Sequence, residues 1–398
     1  MIKKILSDSF INILSSIIVT IILQLLVLPF ISREYSGVSF GNILTILAII
    51  SSFSMLIGGS LNNIRLINNK TNFSSYMLIL LMSILCSYPF IYIFLINLSN
   101  ETSIFFLLIL YTLMTIKTYA IVYYRISLSY KSIFFQNLFL SIGYLIGFLI
   151  YKIFSNWIVI YLSGEIISIL YILPTIFKFK REFLKDSNFL KITKDYLIFS
   201  LSNIVNVLSM YMDRFILVML INPKAVSIYF GSTLLGKTLS IMTVPISGVL
   251  LSYFSYYDIK NVKKIYNQML LSVILVCTFI FIVIFATAPY VMEMLYPDLY
   301  IDIKPYLFIG NLSAILFLAG NFMNTFALKF INIKYQVYIQ YVYLIFYMLS
   351  SIILIRFYKI DGFLYSTCIS NLLRFILIHF YTKTNILNNK VSPILNKS

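Results

Sequence analysis

Apolar runs long enough to cross a bilayer recur from one end of this chain to the other. No other feature constrains its fold as strongly. A helix rises 1.5 Å per residue, so about 20 apolar residues span a hydrocarbon core. Twelve segments meet that length, at roughly 9–31, 38–60, 76–97, 103–124, 133–152, 157–177, 196–221, 228–254, 266–288, 305–328, 336–355 and 361–381. With 61% hydrophobic and only 11% charged residues, the chain reads as an all-α polytopic membrane protein. Helices can span lipid because they satisfy their own backbone polar groups. Gly143 and Gly147 interrupt the fifth span and suit it to close helix contact.

Lysine and arginine in the connections set the expected orientation. They concentrate on the side of the N-terminus: Lys3 and Lys4, Arg65, Arg125, the run Lys178, Lys180, Arg181, Lys185, Lys191 and Lys194, and Lys383 near the end. That bias predicts both termini in the cytoplasm. It assigns most of the net charge of +17 to loops facing anionic lipid headgroups, with no need for nucleic acid. The start of the chain is basic, but the apolar run behind it is of spanning length and lacks a small-residue cleavage site. It reads as a first span.

The longest connection, 178–195, separates six spans from six. It predicts an N-terminal six-helix lobe over 1–177, a cytoplasmic basic linker over 178–195 and a C-terminal six-helix lobe over 196–398. An internal repeat agrees: Val38-Ser39-Phe40-Gly41 opens the second span and Ile228-Tyr229-Phe230-Gly231 the eighth. The same offset aligns the first span with the seventh. Ser9, Asn12, Ser16, Thr20 and Gln24 form a polar stripe in one, and Ser202, Asn206, Ser209 and Asp213 in the other. Two lobes with matching stripes suggest a transporter built from repeats around a central cavity.

Charges inside spans are the candidates for function, because a charge at membrane depth is costly and usually faces a bundle interior or a wet path. The bases are Lys117, Arg214, Lys237 and Arg374, and the acids are Asp213 and Glu165. Asp213 and Arg214 adjoin and read either as a structural pair or as part of a path. Glu165 reads as the neutraliser of one of the bases, with ion coupling as the other option. Lys237 lies too deep to reach the surface easily, with Thr233 and Ser240 on its face. Cys86, Cys277 and Cys368 read as buried packing residues, Gly58-Gly59 as a helix terminator, and Trp157 and the tyrosines near span ends as interfacial anchors. His379 is alone and cannot make a metal site, and no phosphate loop or nucleophile elbow is present.

Asp213-Arg214-Phe215-Ile216-Leu217, a short loop and then Ala225-Val226-Ser227-Ile228-Tyr229 resemble the seventh-to-eighth-helix signature of polysaccharide-unit flippases. Pro29, Arg33, Tyr35, Gly37 and Phe40-Gly41 are similar to that family's first connection, and Asp361-Gly362 with Ser366 to the start of its last helix. Ser227 stands where the family usually has glycine, and Arg65 lacks the family's small-residue run before it. The resemblance implies the multidrug/oligosaccharidyl-lipid/polysaccharide exporter superfamily and its O-antigen branch. Such a protein is no enzyme. It moves an undecaprenyl-pyrophosphate-linked oligosaccharide across the bacterial inner membrane by alternating access, beside membrane lipids and other polysaccharide assembly proteins.

The substrate-lining residues would then be Arg214, Lys237, Arg374, Lys117, Gln24 and Asn206, with Asp213 and Glu165 for coupling or charge pairing. No cofactor is expected beyond a coupling proton or sodium ion. A pyrophosphate crossing a low-dielectric core fits cationic side chains that replace its hydration. Two alternatives stand beside this reading. A drug or metabolite antiporter of the same fold would want acids for cationic drugs. An O-antigen polymerase would want a large outside loop with arginines, whereas the longest outside loop expected here, Pro289–Lys304, carries one lysine.

Overall fold

The computed structural model describes residues 2–67, 73–99, 102–180, 189–256, 262–330 and 333–387. Its elements are α-helices throughout these segments. The first rod is α1 (Ile2–Ile22), a π-helical turn (Leu23–Val27) and α2 (Leu28–Glu34). The second is α3 (Gly37–Ser54), another π-helical turn (Met55–Gly59) and α4 (Ser60–Ile67). Single helices follow: α5 (Phe73–Leu95), α6 (Ile104–Ile126), α7 (Tyr130–Phe154), α8 (Ile158–Lys180), α9 (Phe189–Leu220), α10 (Pro223–Tyr256) and α11 (Val262–Leu295). The short α12 (Pro297–Ile303) leads through a 3-10 turn into α13 (Leu307–Phe330), and α14 (Ile333–Leu387) closes the described chain.

The last element is two helices joined at a break. Lys359 has φ 49° and ψ −123°, and the arms on either side fold back against each other. Ser350 Oγ and Ser351 Oγ lie 2.7 and 2.9 Å from Ser366 Oγ, and Tyr335 packs on Tyr381 with ring centroids 5.4 Å apart. Gly362 makes the turn possible, because a Cβ there would collide with the Leu354 carbonyl oxygen. Counting these arms separately gives twelve rods among the described residues, matching the twelve expected spans in order.

Local chemistry explains where the helices begin. Ser36 Oγ accepts from the Ser39 N–H at 3.2 Å and caps α3. Asn222 Oδ1 accepts from the Ala225 N–H at 2.9 Å and caps α10, where Pro223 occupies the first position at no cost in hydrogen bonds. Ser155, with φ 50°, ends α7 in a left-handed cap. Pro89, Pro174 and Pro289 lie inside helices, which neighbouring elements in membrane proteins commonly accommodate.

Two compact units result, Met1–Phe215 and Ile216–Ser398. In the first, α7 and α8 pack almost backbone to backbone. A Cβ on Gly143 would stand 2.6 Å from the Gly164 Cα, and one on Gly147 would stand 2.6 Å from the Ile160 Cα. The fifth span is thus a full helix, and its glycines are its packing face. The first part of α9 also belongs to this unit: Asn203 Nδ2 donates to Ser60 Oγ at 3.2 Å. In the second unit α10 and α13 form an equally close seam, where a Cβ on Gly236 would stand 2.6 Å from that of Ala314.

Several expectations are corrected. Gly58-Gly59 does not end a helix: the rod runs on to Ile67, and a Cβ on Gly58 would stand 2.5 Å from the Thr115 carbonyl oxygen. The pair serves close packing on α6. Pro289–Lys304 is not a loop, because α11 continues to Leu295 and α12 follows at once. Trp157 is no interfacial anchor. It is 1% exposed and packs edge-on against Tyr161, with centroids 5.8 Å apart. Cys86 is exposed rather than buried, on a face of α5 that its apolar neighbours also present outward. The basic run 181–188 lies outside the described residues.

Candidate functional site

Buried charges in this protein are held in two ways, by a carboxylate or by aromatic rings. In the first unit Lys117, on α6, points at α8 and meets Glu165, with Nζ 2.5 Å from Oε1. The carboxylate is 1% exposed and the lysine side chain 13%. Oε2 of Glu165 has no hydrogen-bond partner among the described residues. The two side chains form an ion pair inside this unit.

Asp213 and Arg214 sit near the end of α9. Asp213 Oδ1 accepts from the backbone N–H of Arg214 at 2.8 Å. Consecutive helical side chains diverge, so this backbone bond is how the two residues meet. The guanidinium of Arg214 lies within electrostatic reach of the Tyr161 and Tyr211 hydroxyls. Gln24 occupies the π-helical turn Leu23–Val27, a distortion often found at functional positions. Asn206 is exposed and donates from Nδ2 to Asn203 Oδ1 at 3.4 Å. Four hydroxyls of the polar stripes turn back on their own helices: Ser16 to Asn12 O, Thr20 to Ser16 O, Ser202 to Phe199 O and Ser209 to Val205 O.

In the second unit two cations lie on one ladder of rings. Lys237 Nζ stands 4.5 Å from the centre of the Tyr229 ring. Tyr229 packs edge-on against Phe363 at 4.9 Å, Phe363 lies 6.1 Å from Tyr347, and Tyr347 stacks on Tyr343 at 6.0 Å. Tyr343 then faces Arg374, whose guanidinium carbon lies 5.4 Å from that ring and 4.9 Å from Phe317. Such cation–ring contacts gain strength when desolvated. Tyr343 is fixed in turn: its hydroxyl donates to Asn371 Oδ1 at 3.1 Å, and Asn371 Nδ2 donates to the Ser313 carbonyl at 3.0 Å. Thr233 and Ser240 do not turn their hydroxyls only toward Lys237, since Thr233 Oγ1 donates to Tyr229 O and Ser240 Oγ to Gly236 O.

Arg374 is 8% exposed, and its Nη1 has no hydrogen-bond partner among the described residues. Among the described residues the ion pairs are Lys117–Glu165 and Lys224–Asp302, so neither serves Arg374.

Two features lie outside the candidate residues of the sequence. Arg65, taken only as a marker of orientation, is 4% exposed and enclosed by Phe73, Tyr76 and Tyr123 at 5.9, 5.1 and 4.8 Å. Its Nη1 donates to Tyr119 OH at 3.0 Å. The four-residue spacing of Tyr119 and Tyr123 was the available signal. The second is the ladder itself, whose rings come from α10 and both arms of α14. His379 bonds through Nδ1 to Tyr266 OH at 2.6 Å, a structural contact between α14 and α11. Among the described residues no group of three potential metal ligands occurs.

No protein-family profile matches the chain, and no curated protein matches it. Solved structures do. A structure described as lipid II flippase MurJ in an inward closed conformation matches with a TM-score of 0.71 and 15% identity, over 97% of this chain and 89% of that one. An inward-facing multidrug resistance MATE family transporter of the MOP superfamily matches at 0.63 and 12%, over 96% of each chain. A MATE structure in a bent conformation matches at 0.62 and 14%, over 98% and 96%. At these identities the likeness establishes the fold: along nearly its whole length this chain folds as MATE transporters and a lipid II flippase do.

Proposed function

We propose that this protein flips undecaprenyl-pyrophosphate-linked oligosaccharide units, such as O-antigen repeats, from the cytoplasmic to the periplasmic face of a bacterial inner membrane by alternating access. The observation that carries the reading is Arg374, a cation at membrane depth with an unpartnered Nη1 and no carboxylate within ion-pair distance among the described residues. A buried charge without a partner is expensive, and an anionic cargo supplies one. The acids offer a cationic drug less. Glu165 is taken by Lys117, and Asp213 is engaged by the Arg214 N–H. The likeness to a lipid II flippase supports a lipid-linked cargo.

In this reading Lys237 and Arg374 are the second unit's contacts to the substrate, and Arg214, Gln24 and Asn206 are those of the first unit. Lys117 is held by Glu165 until the carboxylate takes part in coupling, to a proton or to sodium, together with Asp213. Both termini face the cytoplasm, where the lipid-linked unit and its assembly proteins are met.

Lys237 gives the test. In a flippase-deleted host, Lys237→Ala should leave protein levels normal, abolish surface polysaccharide and let lipid-linked units accumulate inside. Lys237→Arg should retain part of the export, since the charge is kept. Surface polysaccharide by gel and protein by immunoblot are the readouts. Full export by the alanine variant at wild-type expression would remove Lys237 from the path.

A further inference from the structure

Of the glycines in the second unit, Gly320 stands apart. Gly231, Gly236, Gly310 and Gly362 are needed for packing, because a Cβ at each would collide with Ile303, Ala314, Ser232 or Leu354. At Gly320 a Cβ would meet, among the described residues, a single atom within 4 Å, Nη1 of Arg374, at 3.9 Å. Among the described residues this glycine therefore leaves open space directly beside Nη1 of Arg374, a buried guanidinium nitrogen that lacks an acceptor.

Two rings flank the guanidinium. Phe317, three residues before Gly320 on α13, and Tyr343, on the first arm of α14, lie against it. Tyr343 is held by Asn371, which also ties the second arm to α13 through the Ser313 carbonyl. Asn371 and Arg374 are three residues apart and share a helix face. A cation flanked in this way loses less freedom when it takes a ligand. An oxygen needs to stand about 2.9 Å from the nitrogen to accept its hydrogen, and the space left by Gly320 provides for one.

We propose that Arg374 and Gly320 form a seat for a phosphoryl oxygen, the point at which the anionic headgroup is recognised. Arg374 supplies charge and direction, and Gly320 supplies the room. This assignment rests on the flippase reading and adds a specificity-determining position, Gly320, that bears no charge.

The full-length chain in detergent is titrated calorimetrically with inorganic pyrophosphate and, separately, with undecaprenyl diphosphate in the same micelles. The wild-type protein should bind both. Arg374→Gln and Gly320→Leu should each weaken both by about tenfold or more, the value of a hydrogen bond to a charged group. Gly320→Ala, which its surroundings admit without collision, should fold normally and weaken binding less; thermal midpoints check folding. Undiminished binding by folded Arg374→Gln or Gly320→Leu would overturn the seat. Binding of pyrophosphate without the lipid diphosphate would overturn its assignment to a lipid headgroup. Polysaccharide export in cells separates the two levels: export with unaltered binding in the variants removes the seat and leaves the flippase reading. Wild-type protein that binds neither anion and does not restore export removes both.

Discussion

Lys117 and Arg374 are both cations within apolar spans, and the two units treat them in opposite ways. Lys117 is answered by a carboxylate from the next-but-one helix, 2.5 Å away and almost fully enclosed. Arg374 is answered by the faces of Phe317 and Tyr343, with one nitrogen left open toward a glycine. A carboxylate cancels the charge and leaves little for a ligand. A ring face steadies the cation while leaving its net charge intact. The first arrangement couples α6 to α8, whereas the second keeps a positive charge in reserve. Sequence alone could not separate these cases, because both residues appear as single bases in apolar runs.

The largest expected effect comes from breaking the first arrangement. Lys117→Met leaves the Glu165 carboxylate enclosed and unpaired, which should cost on the order of 3–5 kcal/mol. The double variant Lys117→Met/Glu165→Gln should recover most of that loss, because no buried charge remains. Thermal unfolding of the four proteins in one detergent forms a double-mutant cycle. If the losses simply add, the two side chains are not coupled and the contrast with Arg374 fails. Arg374→Gln, by comparison, should cost little stability, since no partner is orphaned.

A smaller effect sharpens the same contrast through glycine. Gly143 sets the α7–α8 seam beside Glu165, and an added Cβ would press on the backbone of Gly164. Gly143→Ala should therefore destabilise by about 1–3 kcal/mol through overpacking. Gly320→Ala meets no such wall and should gain about 0.5–1 kcal/mol from helix propensity. Opposite signs in thermal midpoint are the expected result. A loss of similar size at both positions would mean that Gly320 is another packing glycine and leaves no room for an anion.

The parts of the molecule that follow from local pattern were legible. Spanning length gave the twelve rods, and small residues marked the fifth span as a close-packed one. The rarity of acids made Glu165 a partner for a base. What escaped notice depends on residues far apart in sequence. Tyr229, Phe363 and Tyr347 make a ladder only because α10 and the two arms of α14 meet, and no periodicity within one span records that. Trp157 and the tyrosines around Arg65 are ambiguous in sequence for a related reason. An aromatic residue at a span end fits a membrane interface or a protein interior equally well. Loop boundaries failed where hydropathy ended before the helix did, as at Pro289, since a helix may continue past the hydrocarbon region. Gly320 looks like any other glycine in an apolar helix until its surroundings are known.

The smallest expected effect concerns the tip that joins the arms of α14. Lys359 carries a side chain at φ 49° and ψ −123°, a region that glycine enters far more readily. Strain of this kind costs about 1–3 kcal/mol, part of which glycine returns through greater freedom in the unfolded chain. Lys359→Gly should thus stabilise the protein by about 1 kcal/mol. The register of the arms is set elsewhere, by Ser350 and Ser351 against Ser366 and by Tyr343 against Asn371. Relief at the tip should therefore leave Arg374 where it is, and pyrophosphate affinity should not change. If affinity moves with stability, the strained tip helps to aim Arg374. The reserve of charge in the second unit would then depend on backbone conformation as well as on rings.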